Sequence, residues 1–353
     1  MDIEKGLKGT KIEFHIIQSF PVTCLNRNDA GSPKTAFIGG VERARVSSQC
    51  WKRAIRTTLG EMGVKLGVRT KKVQMFIAEH CEKIGATPEQ AQECGEFVAA
   101  EMVGEALLFI SDEEAQILAQ YCLENEFTVK KLSVKQIEKI AQKHINKHYN
   151  AVDIALFGRM IAKASTMSVQ AASSFNHAIS THKVVNEMDF YTALDDFEVD
   201  SPQSAHIGAM EYNSATYYRY VSLDLGQLVV NLGLTEKSQM HALIEAVESF
   251  IKALFIAVPS AKQSTQSGFS SWDFARVYIR KGQPLQVGFD KAIKSNNGYS
   301  VPSIEHVRKE LDAKEAMYGS MFNKIESFEW GLDESVSFDD LIQGITSVVG
   351  ANV

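Results

Sequence analysis

Hydrophobic and polar positions alternate near the start of the chain in the way that a β-strand requires. Residues 11–20, KIEFHIIQSF, place β-branched and aromatic side chains at strand-like spacing. A loop rich in Asn, Asp, Gly and Pro follows over residues 21–33. Further along, the pattern predicts an amphipathic helix from Thr235 to about Ala257, a strand over residues 275–280 and a helix over residues 303–318. The chain therefore mixes helices and strands.

Residues 70–149 are predicted to be almost wholly helical. Three helix starts fit the capping box, in which Ser or Thr is followed three residues later by Glu or Gln. They are Thr87 to Gln90, Ser111 to Glu114 and Ser133 to Gln136. This stretch is predicted to be a helical insertion.

Two extended stretches flank a polar segment in the second half of the chain. Residues 183–196 and 215–224 both have strand character, and residues 198–208 between them are polar and contain Gly and Pro. They predict a long hairpin with a mobile tip. The elements outside the insertion and the hairpin run strand, helix, strand, helix, strand. That order suits a split β-α-β, ferredoxin-like core, so the predicted fold class is α+β with an RRM-like core.

A short basic helix is predicted within residues 43–56, RARVSSQCWKRAIR. Ser47 or Ser48 is a suitable N-cap. One face then carries polar side chains at helical spacing, namely Gln49, Lys52, Arg53 and Arg56, and the other carries Cys50, Trp51, Ala54, Ile55 and Leu59. The polar face and the helix N-terminus together suit phosphate groups, and Gly39-Gly40 just before them would let a ligand approach the backbone. The alternative is an ordinary solvated basic face.

The net charge of the chain limits where a polyanion could bind. The 353 residues carry a formal net charge of −6. The field of the whole molecule therefore repels nucleic acid, so a polyanion site must be local and concentrated.

The remaining composition excludes several classes of protein. Five cysteines stand far apart without a C-x-x-C pair, so we expect neither a disulfide framework nor a zinc site. No apolar run of about 18 residues occurs, and the first residues do not resemble a signal peptide. We expect a cytoplasmic protein.

No catalytic motif stands out, so we expect no enzyme activity, no cofactor and no metal ion. The pair His144 and His148 lacks the intervening Glu of a zinc protease, and His177 and His182 fit structural roles better than metal ligation. A further possibility, Asp195-Asp196 as Mg²⁺ ligands, is weaker than simple solvation near a hairpin tip.

Several motifs together resemble the CasC family of crRNA-binding backbone subunits in type I-E CRISPR Cascade complexes. The strongest are CLNRND at residues 24–29, GG through RVSSQ and KRAIR within residues 39–56, DIAL with GRM at residues 153–160, and VP with AKQ at residues 258–263. Linking pieces such as HAISTH at residues 177–182 also match. The resemblance covers most of the chain in the same order.

The resemblance implies a hand-shaped protein that polymerises along a guide RNA. It divides the chain into an RRM-like palm (1–62 and 215–353, with part of 151–185), helical fingers (63–175) and a hairpin thumb (183–218). The implied partners are crRNA, target DNA through pairing with the crRNA, and neighbouring copies of the same chain. They also include the other Cascade subunits (large, small, 5′-handle-binding and crRNA-processing) and, indirectly, an effector nuclease.

The resemblance also implies residue roles. The guide backbone is expected to be held by Arg27, Lys34, Ser47, Gln49, Lys52 and Arg56; Arg45 joins them from its charge and spacing alone. Met160 matches a wedge that separates short segments of guide–target pairing; the alternative is an ordinary core methionine. Phe190-Tyr191 matches an aromatic pair at the base of the thumb.

Two other functions remain open. One is an RNA-cleaving backbone subunit of the type III kind, in which Asp29 would cut target RNA. The other is an RNA-binding scaffold unrelated to CRISPR.

Overall fold

The computed structural model describes residues 3–102, 108–143, 151–161, 168–194 and 204–351. The helices are Ile3–Leu7 (α1), Ser48–Glu61 (α2), Val73–Lys83 (α3), Pro88–Met102 (α4), Asp112–Glu124 (α5), Val134–Lys143 (α6), Val152–Phe157 (α7), Leu225–Asn231 (α8), Met240–Ile256 (α9), Gln263–Gln266 (α10), Ser300–Tyr318 (α11) and Phe338–Ala351 (α12). The strands are Thr10–Thr23 (β1), Thr35–Ile38 (β2), Val41–Val46 (β3), Val68–Thr70 (β4), Leu108–Ile110 (β5), Ser173–Phe175 (β6), Ala178–Ser180 (β7), Glu187–Leu194 (β8), Ser204–Asp224 (β9), Phe274–Lys281 (β10) and Lys324–Trp330 (β11).

A large antiparallel sheet organises the molecule. Its order is β11-β10-β1-β9-β7-β3-β2, with β6 and β8 also paired to β9. The first strand, β1, lies between β10 and β9, with Thr10 opposite Lys281 and Lys11 opposite Asp224. The strands predicted at residues 11–20 and 275–280 and the helix at 303–318 are confirmed. The mixed α and β character of the chain is confirmed as well.

The two faces of this sheet bury different side chains. Ile12, Phe14 and Ile16 of β1 join a large apolar core that also contains buried residues of α2, α8, α9 and α12. The intervening side chains point to the other face, where α11 and the segment before it cover a second core. There the buried Glu13 pairs with Arg280 at 3.0 Å, and His15 bonds the Tyr218 hydroxyl at 2.9 Å.

A separate apolar core lies among α3, α4, α5 and α6. The capping boxes at Ser111 and Thr87 are confirmed, because in each the two reciprocal hydrogen bonds are present. The prediction of an almost wholly helical stretch was wrong in one respect, because the stretch also contains β-structure. The strand β4 at its start pairs with β5 inside it, with Arg69 opposite Phe109.

His144 and His148 lie outside the described residues. Among the described residues, no helix is both long and apolar enough to cross a bilayer.

The hairpin consists of β8 and β9, in which Tyr191 lies opposite Gly208. The second arm is longer than the sequence indicates, because β9 begins at Ser204 and continues without a break into the central sheet. Residues 195–203, including Asp195-Asp196, lie outside the described residues. The domain boundaries given above stay predictions, and the boundary drawn near residue 215 passes through this continuous strand.

Candidate nucleic-acid interface

The basic helix α2 forms where the sequence predicts it. Ser47 is its N-cap, and the Ser47 hydroxyl accepts a hydrogen bond from the Cys50 backbone N–H at 3.3 Å. Trp51, Ile55 and Leu59 are buried on the core side. Gln49 and Arg53 are exposed on the other side. The predicted N-cap and the division of α2 into an apolar and a polar face are therefore confirmed.

Backbone hydrogen bonds bring the loop after β1 against the start of α2. The Lys34 N–H donates to the Asn26 carbonyl, and the Arg45 N–H donates to the Lys34 carbonyl, each at 2.8 Å. The Asn26 side-chain oxygen accepts from the Ser47 N–H at 3.0 Å. We call the resulting surface the basic junction; it consists of Arg27, Lys34, Arg45 and Gln49 around the buried Ser47.

Gly39 and Gly40 have a structural role that the sequence interpretation missed. They form the two-residue turn between β2 and β3, with φ of 61° and 78°, as Gly-Gly turns in hairpins do. An added Cβ at Gly39 would lie 1.7 Å from the carbonyl oxygen of Asp290. The backbone that approaches Gly39 closely is thus the protein's own.

Arg43 is buried and does not belong to the basic surface. Its guanidinium donates to the Ser180 carbonyl at 2.7 Å and to the Phe289 carbonyl at 2.9 Å. Burial lowers the pKa of Arg43. This arginine ties the β2–β3 hairpin to the segment before α11, and the cluster of positive charge begins at Arg45.

Lys52 and Arg56 continue along the polar face of α2 but are less accessible than the helical pattern predicts. The Lys52 ammonium lies 5.5 Å from the centre of the Phe175 ring, and burial lowers the pKa of Lys52. Arg56 donates to the Asp153 carboxylate at 2.7 Å and to the Gly67 carbonyl at 2.6 Å. Burial raises the pKa of Asp153, while the Gly67 N–H and Arg56 oppose that shift. Arg56 therefore neutralises a buried carboxylate, which the sequence did not reveal.

Met160 is an exposed residue next to a buried ion pair. Its side chain is 86% exposed, so the alternative of an ordinary core methionine is wrong. The neighbouring Arg159 makes two parallel contacts with the Glu114 carboxylate, at 2.6 and 2.7 Å, and donates to the Phe109 carbonyl. The ring of Phe109 also faces the Arg56 guanidinium, 5.1 Å away. The Met160 segment is thus connected to α2 through Phe109.

Phe190 and Tyr191 do not form a pair on one surface. They are consecutive residues of β8, so their side chains point to opposite faces of the hairpin. Phe190 is 68% exposed and shares its face with Met188 and Ile207, which are also exposed. The Tyr191 ring lies against Gly208, where an added Cβ would be 2.3 Å from Cζ. A base that stacks on Phe190 cannot contact Tyr191 from the same side.

His177 was considered only as a metal ligand or structural histidine, yet it lies at the basic junction. Its Nδ1 accepts a hydrogen bond from the Ser48 N–H at 3.1 Å. Partial burial, and then the charges of Arg45 and Lys34, lower the pKa of His177. Its companion His182 is structural as expected: it is buried, stacks on Tyr299 and bonds the Lys183 carbonyl and the Thr216 N–H.

Lys262 is a second basic residue whose role the sequence left unassigned. It precedes α10, whose Gln266 side chain contacts the Met210 sulfur of β9. Burial raises the pKa of the Cys24 thiol, and the charges of Arg27 and Lys262 oppose that shift. Lys262 therefore lies close to the loop that carries Arg27, between the basic junction and the hairpin.

The face of the central sheet that carries several tyrosines is covered by α11. In RNA-recognition modules, bases stack on aromatic side chains of an open sheet face. Here Tyr218, Tyr220 and Tyr278 are buried in the core beneath α11. Bases therefore cannot stack on these three tyrosines in the way that they stack on the open sheet of an RNA-recognition module.

The described part of the chain holds no group of three or more His, Cys, Asp and Glu side chains placed to bind a metal ion. Asp29 is exposed in the loop after β1. The expected absence of a metal, a cofactor and catalysis stays an expectation.

Comparisons with known proteins find similar folds that cover nearly the whole chain. The family model for CT1975-like protein matches residues 12–337. A chain of a solved "CRISPR RNA-guided surveillance complex, pre-nicking" superposes with a TM-score of 0.81 and 25% identity, covering 96% of this chain and 100% of that one. A chain of another "CRISPR RNA-guided surveillance complex" gives a TM-score of 0.71 and 22% identity, covering 96% and 99%. No curated protein matches the sequence.

Proposed function

We propose that this chain, which belongs to the CT1975-like protein family, is the crRNA-binding backbone subunit of a CRISPR surveillance complex of type I-E. The observation that carries the proposal is the basic junction. Lys34 and Arg45 meet at the capped N-terminus of α2 in a protein of net charge −6. Local cations and a helix N-terminus bind phosphate groups, and the similar chain at TM-score 0.81 is part of an RNA-guided complex.

The proposed mechanism leaves the choice of target sequence to base pairing. Lys34, Arg45, Gln49 and Lys52 would contact the sugar-phosphate backbone of the guide, which carries no sequence information. The bases stay available to pair with target DNA. The exposed Met160 would separate successive segments of that pairing, and Phe190 would stack on a base. The protein itself would perform no catalysis.

Assembly follows from the same contacts. In the proposed arrangement the sheet and α2 form the palm, the helical unit the fingers and the β8–β9 hairpin the thumb, which reaches the next copy along the guide. Such head-to-tail contacts build open filaments. Each subunit adds a few phosphate contacts, and linkage along one RNA multiplies their effect through effective concentration. The remaining proposed partners are target DNA, the other Cascade subunits and, indirectly, an effector nuclease.

The test is the RNA that the protein carries. When the chain is produced with the proteins encoded beside it and a CRISPR array, the purified complex is expected to contain a discrete RNA of repeat-plus-spacer length. The measurement is extraction and sequencing of that RNA. Heterogeneous cellular RNA, or none, would favour a scaffold unrelated to CRISPR and reject the proposal.

A second prediction separates this function from that of an RNA-cleaving backbone subunit. Because the described residues offer no metal-binding cluster, the complex is expected not to cleave bound target RNA with Mg²⁺ or Mn²⁺. Asp29→Ala is the matched variant, since Asp29 is exposed beside the basic junction. Cleavage by the natural chain that disappears in Asp29→Ala would assign the protein to the cleaving class.

A further inference from the structure

His177 is held at the point where three strands meet the start of α2. The preceding residue, Asn176, exchanges hydrogen bonds with the backbone of Tyr220 in β9, at 2.9 and 3.1 Å. Immediately after His177, β7 pairs with β3, with Ala178 opposite Val46. His177 is thereby fixed beside the residues that lead into α2, although its side chain is exposed.

The hydrogen bond to Ser48 defines which ring nitrogen carries the proton. The Ser48 backbone N–H is a donor, so Nδ1 of His177 must be the acceptor and is not protonated. The neutral ring then carries its proton on Nε2. Within the described residues, Nε2 has no hydrogen-bond partner. His177 thus presents one N–H donor to solvent.

The surroundings of this donor favour an anion. Partial burial lowers the pKa of His177, and the nearby charges of Arg45 and Lys34 lower it further. The ring therefore stays neutral near pH 7, where it can keep its bond to Ser48. A phosphate oxygen that approaches these two cations also approaches the Nε2–H group.

We propose that His177 is a guide-contacting residue, whose Nε2–H donates a hydrogen bond to a backbone phosphate of the RNA while Nδ1 anchors the first turn of α2. The proposal rests on the proposed function, because it assigns a further contact in the same interface. The Nε2–H group of His177 would add an uncharged hydrogen-bond donor to the cations of the basic junction.

The two nitrogens can be tested separately by amide substitutions. Asn places its side-chain oxygen near the position of Nδ1, whereas Gln places its side-chain nitrogen near that of Nε2. His177→Asn therefore keeps the acceptor for Ser48 and loses the outer donor, and His177→Gln does the reverse. The probe is a fluorescent single-stranded RNA of mixed sequence, titrated against each purified variant at several salt concentrations.

The expected result is that His177→Asn and His177→Ala bind about tenfold more weakly, as for loss of one hydrogen bond to a charged group. His177→Gln should bind nearly as well as the natural chain. The salt dependence should stay unchanged in all three, since no charge is removed. His241→Asn is the matched control, because His241 is an exposed histidine on α9 that bonds the Ser238 carbonyl.

Two outcomes would overturn the proposal. Unchanged affinity in His177→Asn would show that Nε2 makes no contact. A loss in His177→Gln but not in His177→Asn would show that His177 acts only by positioning α2. Failure of the proposed function is distinguishable, because the natural complex would then lack an RNA of repeat-plus-spacer length, whichever result the His177 variants give.

Discussion

Reversing two charges at the basic junction, with Lys34→Glu and Arg45→Glu together, is expected to abolish retention of guide RNA. Both cations flank the N-terminus of α2, and neither forms an ion pair within the described residues. Loss of two phosphate contacts should lower the slope of log affinity against log salt by about two, and the new carboxylates add repulsion. The measurements are the RNA content of the purified complex and the salt dependence of RNA binding.

The control for this variant is a pair of lysines that changes net charge equally. Lys281 ends β10 and Lys309 lies on α11; both are exposed and distant in sheet order from β2 and β3. Lys281→Glu with Lys309→Glu should retain RNA. Equal losses in both double variants would show that only the overall charge matters, and the basic junction would no longer be the binding site.

Arg56 is unsuitable for the same experiment. The helical pattern puts Arg56 on the polar face of α2, which would make its reversal harmless to folding. In the structure, a Glu at that position would face the buried Asp153 carboxylate. Two like charges in a buried site are costly, so Arg56→Glu would lose RNA binding and stability together. Sequence periodicity identifies the face of a helix, but Asp153 is 97 residues away and no local pattern could reveal it.

Two features of the backbone can be predicted from the sequence alone. A Gly-Gly pair between two short strands is a signal for a two-residue hairpin turn, and that turn is what Gly39 and Gly40 form. Likewise, alternation along a strand requires that Phe190 and Tyr191 point to opposite faces. In both cases the backbone geometry follows from the local sequence, whereas the expected contacts with RNA stay predictions.

Long-range packing accounts for what the sequence could not provide. The strand β1 and the Ser47 cap depend on local patterns and were predicted. The burial of Arg43 depends on Ser180 and Phe289, which reach it only through the folded sheet. The place of His177 depends similarly on the pairing of β7 with β3. The parts of the site that a single helix forms can thus be predicted from the sequence. The parts that form where separate strands meet cannot.

The largest loss of stability is expected from Arg159→Met. The side chains of Arg159 and Glu114 are each only 1% exposed, and they form a bidentate ion pair. Removing the arginine leaves the Glu114 carboxylate buried without its counter-charge, at a cost of about 3–5 kcal/mol. The helical core around α5 should open more readily, and its amide hydrogens should exchange about a hundredfold faster or more. Hydrogen exchange resolved along the chain is the measurement, with denaturant unfolding as a global check.

A second substitution identifies the cause of this loss. Glu114→Gln keeps the capping box with Ser111, because Gln also serves at that position, and it removes the buried charge. The double variant with Arg159→Met should therefore recover most of the lost stability. The neighbouring Met160→Ala, at an exposed side chain, should change the free energy of unfolding by less than about 0.5 kcal/mol. A double variant as unstable as Arg159→Met alone would mean that arginine packing, rather than charge pairing, holds the Met160 segment against the helical core.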